Sequence, residues 1–286
     1  MHEILHVLEH TLLDNALILP FLFLTYLVIE ALESRTGERM QRFLARTHKA
    51  GPAIGAVAGV VPQCGFSAAA SSLYAGGVIT AGTLIAVFLS TSDEMLPILI
   101  SETVAPLLIV KILAVKVAAA ALVGYCVDLF RRRAGDPEAT LHIDELCEHS
   151  HCGCHEHKGI VGPALIHSLE IFVFLLVISF GLNLVVEFLG EERLASLILN
   201  RPVVGELIAG LIGLIPNCAA SVVITELYLA GGMRAGAMLA GLLAGSGVGM
   251  LVLFRTNRSV RDNLKILAVV YFSGVVLGGV FGTLLF

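Results

Sequence analysis

Apolar residues run through this chain in long blocks, at about 11–32, 52–79, 82–101, 104–130, 163–189, 203–232, 235–254 and 266–286. Most of these blocks reach the ~20 residues that a helix needs to cross a bilayer. Period-2 alternation is absent, which sets aside a β-barrel. The pattern predicts an all-α integral membrane protein with about eight apolar segments. Two of the blocks carry a polar interruption. One is Pro62-Gln63-Cys64-Gly65, followed by Phe66-Ser67; the other is Pro216-Asn217-Cys218-Ala219, followed by Ala220-Ser221. Each joins a helix breaker, a carboxamide and a thiol to a hydroxyl three residues further on. Polar, helix-breaking sequence at membrane depth is tolerated only where it is buried in protein or lines a cavity. Such breaks at matching places in two halves point to a transporter's binding site.

The one long polar stretch, 131–160, divides the chain in two. His6 and Glu9 near the start of the first half match His167 and Glu170 in the second. Val28-Ile29-Glu30-Ala31-Leu32 echoes Val185-Val186-Glu187-Phe188-Leu189. After the proline breaks, Leu73-Tyr74-Ala75-Gly76-Gly77 answers Leu227-Tyr228-Leu229-Ala230-Gly231-Gly232, and Ala81-Gly82 answers Ala235-Gly236. The shared order implies internal duplication. We therefore divide the chain into a first membrane repeat (1–130), a cytoplasmic loop (131–160) and a second membrane repeat (161–286).

Basic residues fix the sense of the repeats through their preference for the cytoplasmic side. They cluster at Arg35, Arg39, Arg42, Arg46 and Lys49, at Arg131 to Arg133, and at Arg255, Arg258, Arg261 and Lys265. All three clusters share one side if 52–79 and 203–232 are hairpins folded at their prolines. Each half then has an odd number of full spans, so the repeats are inverted. Both termini lie outside and 131–160 lies inside. Counting the hairpin limbs separately gives ten helices. The N-terminus has no basic n-region or small-residue cleavage site, and reads as the start of a mature protein.

Inverted repeats bring the hairpin tips together, so the expected substrate-binding groups are Gln63, Cys64, Ser67, Asn217, Cys218 and Ser221. Asp93 and Glu94 join them, because carboxylates inside a membrane segment are costly and functional by default. Their counterparts, Gly247 and Val248, carry no charge. Glu226, on the second limb of its hairpin, is a further candidate ligand. Lys111 and Lys116 are the expected counter-ions; Lys111 falls at the depth of Asp93 and Glu94 and is expected to pair with one of them, coupling export to proton or cation entry.

Composition agrees with a membrane chain: 57% of residues are hydrophobic, 14% are charged, and the mean hydropathy is +0.89. The net charge of −5 argues against a nucleic-acid partner. Of the six cysteines, Cys64, Cys126 and Cys218 lie in apolar sequence, and three lie in the central loop. Positions 142–157 hold five His, three Cys and four acidic residues. Such a tract binds transition metals, and its ligands are expected to be His142, Cys147, His149, His151, Cys152, Cys154, His155 and His157. The spacing is not that of a closed zinc finger. It suits an exchangeable cytosolic collector.

With these residues in view, the chain resembles the ten-transmembrane heavy-metal exporter family, linked by name to arsenic-efflux permeases and also catalogued as manganese transporters. The resemblance rests on the two proline breaks, the Ser90-Thr91-Ser92-Asp93-Glu94 segment and the His/Cys loop. It implies export of a metal or metalloid. The break lacks the Pro-Phe-Cys-x-Cys pattern associated with organoarsenical permeases, which speaks against a trivalent arsenical.

The expected function is secondary-active export of a divalent metal (Mn, Zn, Ni or Co class) across the cell membrane, without a required cofactor. A phosphate-binding P-loop and a His-Glu-x-x-His motif are both absent, so direct ATP drive and intramembrane metalloproteolysis are not expected. The rivals are a permease for an arsenical or other small anion, and a membrane metal sensor. The expected partners are the bilayer, the metal substrate and a second copy of the chain in a homodimer. Deleting 142–157 should raise the metal concentration needed for half-maximal export while leaving the maximal rate in place. Metal-dependent flux from cells or vesicles carrying the shortened chain measures both.

Overall fold

The computed structural model describes residues 19–20, 23–24, 26–27, 50–61, 64–92, 95–134, 161–189 and 203–285. Every regular element among them is a helix. In chain order these are α1 (Gly51–Ala58), α2 (Cys64–Ala75), α3 (Ala81–Ser90), α4 (Met95–Ser101), α5 (Pro106–Ala134), α6 (Val161–Leu189), α7 (Val204–Gly213), α8 (Cys218–Leu229), α9 (Ala235–Ala244), α10 (Gly249–Thr256) and α11 (Val260–Leu285). Four stretches are long and apolar enough to cross a bilayer: Ala81–Ser101, Pro106–Arg133, Ala235–Thr256 and Val260–Leu284. The chain is a multi-pass helical membrane protein.

The duplication read from short motifs extends to the element boundaries. α2 begins at Cys64 and α8 at Cys218, α3 at Ala81 and α9 at Ala235, α4 at Met95 and α10 at Gly249, α5 at Pro106 and α11 at Val260. Each pair is offset by 154 positions.

The proline breaks divide short helices. α1, α2, α7 and α8 have 8, 12, 10 and 12 residues, too few for an ordinary span. Gly51 lies against Thr83 and Gly59 against Ser90, so α1 runs beside α3 in the same direction. Ser67 and Phe88 converge on Gly249, so α2 runs back against α3. α1 and α2 therefore form a hairpin. In the second half, Glu206 lies against Gly236 and Gly213 against Gly241, which sets α7 beside α9 in the same sense.

Small residues let these backbones approach closely, as they do between membrane helices generally. A Cβ on Gly82 would overlap the Gly124 carbonyl, where α3 crosses α5. At the equivalent crossing, a Cβ on Gly278 of α11 would overlap the Ala240 backbone of α9. Both crossings also place a carboxylate at a helix start, where the dipole favours negative charge. Asp128 on α5 accepts from the Gly82 amide at 2.9 Å and the Thr80 hydroxyl at 2.7 Å. At α9 the carboxylate comes from a different element: Glu206 on α7 is 7% exposed, and its Oε1 would lie 2.8 Å from a Cβ on Gly236.

The end of α5 meets the start of α11. Arg131 forms an ion pair with Asp262, and Tyr74, at the end of α2, donates to the same carboxylate. Arg131 Nη1 also donates to the Tyr74 hydroxyl at 3.2 Å, and Asn257 Nδ2 bonds Asn263 Oδ1 at 2.6 Å beside them. Toward the other end lies a buried apolar cluster. There Phe281 of α11 and Leu108 of α5 pack on one cluster with Met95, Leu99, Ile112 and Ile224. A third cluster joins α2, α6, α10 and the helical residues at 23–27 through Tyr26, Ala68, Ile171 and Val252. Arg255 of α10 pairs with Glu170 of α6 at 2.5 Å.

The third and seventh apolar blocks differ from expectation. The sequence reading treats each as one continuous apolar segment. Instead α3 stops at Ser90 and α9 at Ala244. Ser90 and Thr91 turn their hydroxyls back on the Ala86 and Val87 carbonyls at 2.9 and 2.7 Å, competing with the helical ladder. Thr91 then leaves the helix with ψ 126°. In the second half Gly247 takes a positive φ of 53°.

The tight seam between α7 and α9 gives a direct test. A Cβ on Gly213 would overlap the Gly241 carbonyl oxygen, whereas nothing lies within 4 Å of one on Gly162. Gly213→Ala should cost about 1–3 kcal/mol through forced separation of backbones. Gly162→Ala should be neutral or slightly stabilising. Thermal midpoints of the detergent-solubilised variants compare the two.

Candidate translocation site

The helix breaks of both halves converge on a small cavity. Its wall is formed by Thr91 and Ser92 from the first half and by Gly213, Asn217, Ala220, Ser221, Ile224, Gly241, Leu242, Gly245 and Gly247 from the second. Three breaks contribute: the one after α3, the proline break between α7 and α8, and the one after α9. Membrane depth accounts for the polarity of this wall, because backbone released from a helix needs partners within the protein.

Local hydrogen bonds hold each wall segment. Ser92 donates to the Val60 carbonyl at 2.6 Å, tying the α3 break to the end of α1. Asn217 is 8% exposed; its amide donates to Ile215 at 2.7 Å and its carbonyl accepts from Ala220 at 3.3 Å. Thr225 donates to the Ser221 carbonyl at 2.7 Å, one turn further along α8. Ser67 has no exposed surface, and the Gly249 backbone packs directly on it. Ser71, one turn on, donates to the Gly249 carbonyl at 2.7 Å. The start of α2 is thus seated on the start of α10, next to the α9–α10 break.

Among the described residues, Lys116 places a basic group at this depth. It is fully buried at the middle of α5. Its Nζ donates to the Thr91 carbonyl at 2.6 Å and to the Leu242 carbonyl at 2.7 Å, and both acceptor residues line the cavity. Thr91 caps the C-terminus of α3, and Leu242 lies in the last turn of α9. The ammonium therefore sits at the negative ends of two helix dipoles, one from each half. A buried charge is tolerated only when paired and hydrogen-bonded. The equivalent position in α11 is Val270, also fully buried, so the charge is confined to one half.

Of the candidate ligands, Asn217 and Ser221 lie in the cavity wall, and Ser67 lies behind it against Gly249. Glu226 is exposed on α8 and is not among the lining residues. Lys111 is partly buried, one to two turns from Lys116 along α5. Gln63, Asp93 and Glu94, the side chains of Cys64 and Cys218, and the loop at 142–157 lie outside the described residues, and so does the expected pairing of Lys111 with Asp93 or Glu94. The sequence reading missed the α9–α10 break as part of the site. Its signal is Gly245-Ser246-Gly247, which stands 154 positions after Thr91-Ser92-Asp93.

Residues 4–188, more than half of the chain, match the family described as "Putative, 10TM heavy-metal exporter". The matched span runs through the first half and α6. No curated protein and no solved structure matches the chain. The chain therefore belongs to the 10TM heavy-metal exporter family.

Proposed function

We propose that this protein exports a divalent metal cation of the Mn, Zn, Ni or Co class from the cytoplasm, by antiport against protons or another cation, through the cavity where the helix breaks meet. The observation that carries the reading is the make-up of that cavity: non-helical residues from both halves (Thr91 and Ser92 from one, Asn217, Gly245 and Gly247 from the other) meet inside an apolar helical bundle. Oxygen and carboxamide donors suit a divalent cation of hard to borderline character. Asp93 and Glu94 follow the cavity-lining Ser92 directly in sequence and supply the negative charge such a cation needs.

The frame is a pair of inverted repeats, each opened by a proline-broken hairpin. The 154-residue offset supports the repeats, and the meeting of the α5 end with the α11 start supports their inversion. That meeting gathers Arg131 to Arg133 with Arg258, Arg261 and Lys265 at one end of the bundle, as cytoplasmic placement requires. The two termini then lie outside, in the inner membrane, and the loop at 142–157 is a cytosolic metal collector.

Lys116 is the coupling group in this reading. Its ammonium bridges the two broken helices while the site waits for substrate, and it yields when a metal brings its own charge to the same carbonyl-rich region. A second reading, a permease for a small anion, draws on the same lysine as an electrostatic host. Its ammonium donates to the Thr91 and Leu242 carbonyls, acceptors that a cation can share, and this supports the cation reading.

Metal flux into everted vesicles separates the readings: uptake of Mn²⁺, Zn²⁺, Ni²⁺ or Co²⁺ that collapses with the proton gradient supports export by antiport, and oxyanion uptake supports the permease. Asp93→Asn and Glu94→Gln should each be made; full transport by both would sink the role given to these carboxylates. Lys116→Met strands the Thr91 and Leu242 carbonyls, so it should lower stability by about 2–4 kcal/mol. An unchanged thermal midpoint in detergent would show that the ammonium does not hold the two helix ends together.

A further inference from the structure

The second limb of the first hairpin, α2, is held at two places. Along its length Ser67 packs on Gly249, and Ser71 donates to the Gly249 carbonyl at 2.7 Å. These contacts seat α2 against the α9–α10 break, whose Gly247 lines the cavity. At its end Tyr74 donates to the Asp262 carboxylate and accepts from Arg131 Nη1 at 3.2 Å, while Arg131 and Asp262 form their own ion pair. Asn257 Nδ2 adds a longer contact to the same carboxylate, at 3.5 Å. α2 therefore reaches from beside the cavity to one end of the bundle, where a single cluster binds it to both α5 and α11.

The matching corner of the other half closes without charge. The tyrosine recurs as Tyr228 near the end of α8, but the positions equivalent to Asp262 and Arg131 are Leu108 and Leu285. Tyr228 and Leu108 pack on one apolar cluster. The charged cluster is also open to water: the Arg131 and Asp262 side chains keep 29% and 21% of their surface exposed. They can part and be rehydrated without stranding a buried charge. Ion pairs with such access add little net stability. A contact of that strength suits an element that has to let go and re-form.

We propose that Tyr74, Arg131 and Asp262 form a latch over the translocation site. Closed, as in this structure, the latch holds α2 against the α9–α10 break and shuts the cavity toward the end where α5 finishes. Released, it frees α2 and opens the site to that side. The inference rests on the exporter reading above, in which that end is cytoplasmic, so the latch controls entry of metal from the cytosol. The apolar corner around Tyr228 has no ion pair to lose, so the two ends respond to different substitutions.

Ser221 lies in the cavity wall, so a cysteine placed there reports access to the site. In the full chain, labelling of Ser221→Cys by a membrane-impermeant maleimide is read by peptide mass spectrometry. Everted vesicles present the cytoplasmic face to the reagent, and right-side-out vesicles present the other. Tyr74→Phe and Asp262→Asn should each raise the rate from the cytoplasmic face about 10-fold, the shift expected on losing one hydrogen bond to a charged group, and should not raise it from the other. Reversing the pair, with Arg131→Asp and Asp262→Arg together, should bring the rate back toward that of the reporter chain. Tyr228→Phe should leave both rates alone. A cluster that only stabilises the fold would lower the thermal midpoint without favouring one face. Unchanged cytoplasmic labelling in Tyr74→Phe, which loses no more than a hydroxyl, overturns the latch, and so does an equal rise from both faces. Metal flux by the wild type in the same vesicles tests the exporter reading separately, so the two failures are distinguishable.

Discussion

Backbone that leaves a helix at membrane depth must find its hydrogen-bond partners within the protein, and the arrangement of this molecule follows from that requirement. Breaks fall between α7 and α8 and after α3 and α9, and each is covered by another element. Ser92 reaches the end of α1, Ser71 reaches the start of α10, and Lys116 spans from α3 to α9. The glycine crossings serve the same end, because they bring the covering helices close enough to exclude lipid. A cavity lined by polar backbone is what remains where the covers meet.

The two halves solve equivalent problems with different chemistry. The start of α3 receives Asp128 from α5, and the start of α9 receives Glu206 from α7. Position 116 is a lysine in one half, and its counterpart 270 is a valine in the other. The serines at 92 and 246 differ in whether they are bonded. The backbone is close to symmetric, and the charge is not.

Much of the fold was legible in the sequence because membrane helices announce themselves by length and composition, and because the helices beside the proline breaks are too short to span. The breaks after α3 and α9 were not legible. Neither contains proline, and serine, threonine and glycine at those positions are common in intact membrane helices, so only the back-bonded hydroxyls and the positive φ of Gly247 reveal them. Asn217 and Ser221, which line the cavity, drew attention in the sequence because the motif repeats. Lys116 was legible as a costly charge, though its partners were not: one of its carbonyls lies 126 residues away.

That last distance bears on how the protein is assembled. α5 enters the bilayer with an ammonium at its centre, at a cost of roughly 2.5–3.5 kcal/mol on insertion scales. Thr91 is already present to accept one bond, but Leu242 belongs to a helix that has yet to be made. Until α9 is made, this lysine lacks its acceptor at Leu242. The lysine thus ties the earlier half to the later one, so that a chain truncated before α9 lacks one of its acceptors as well as half of its helices.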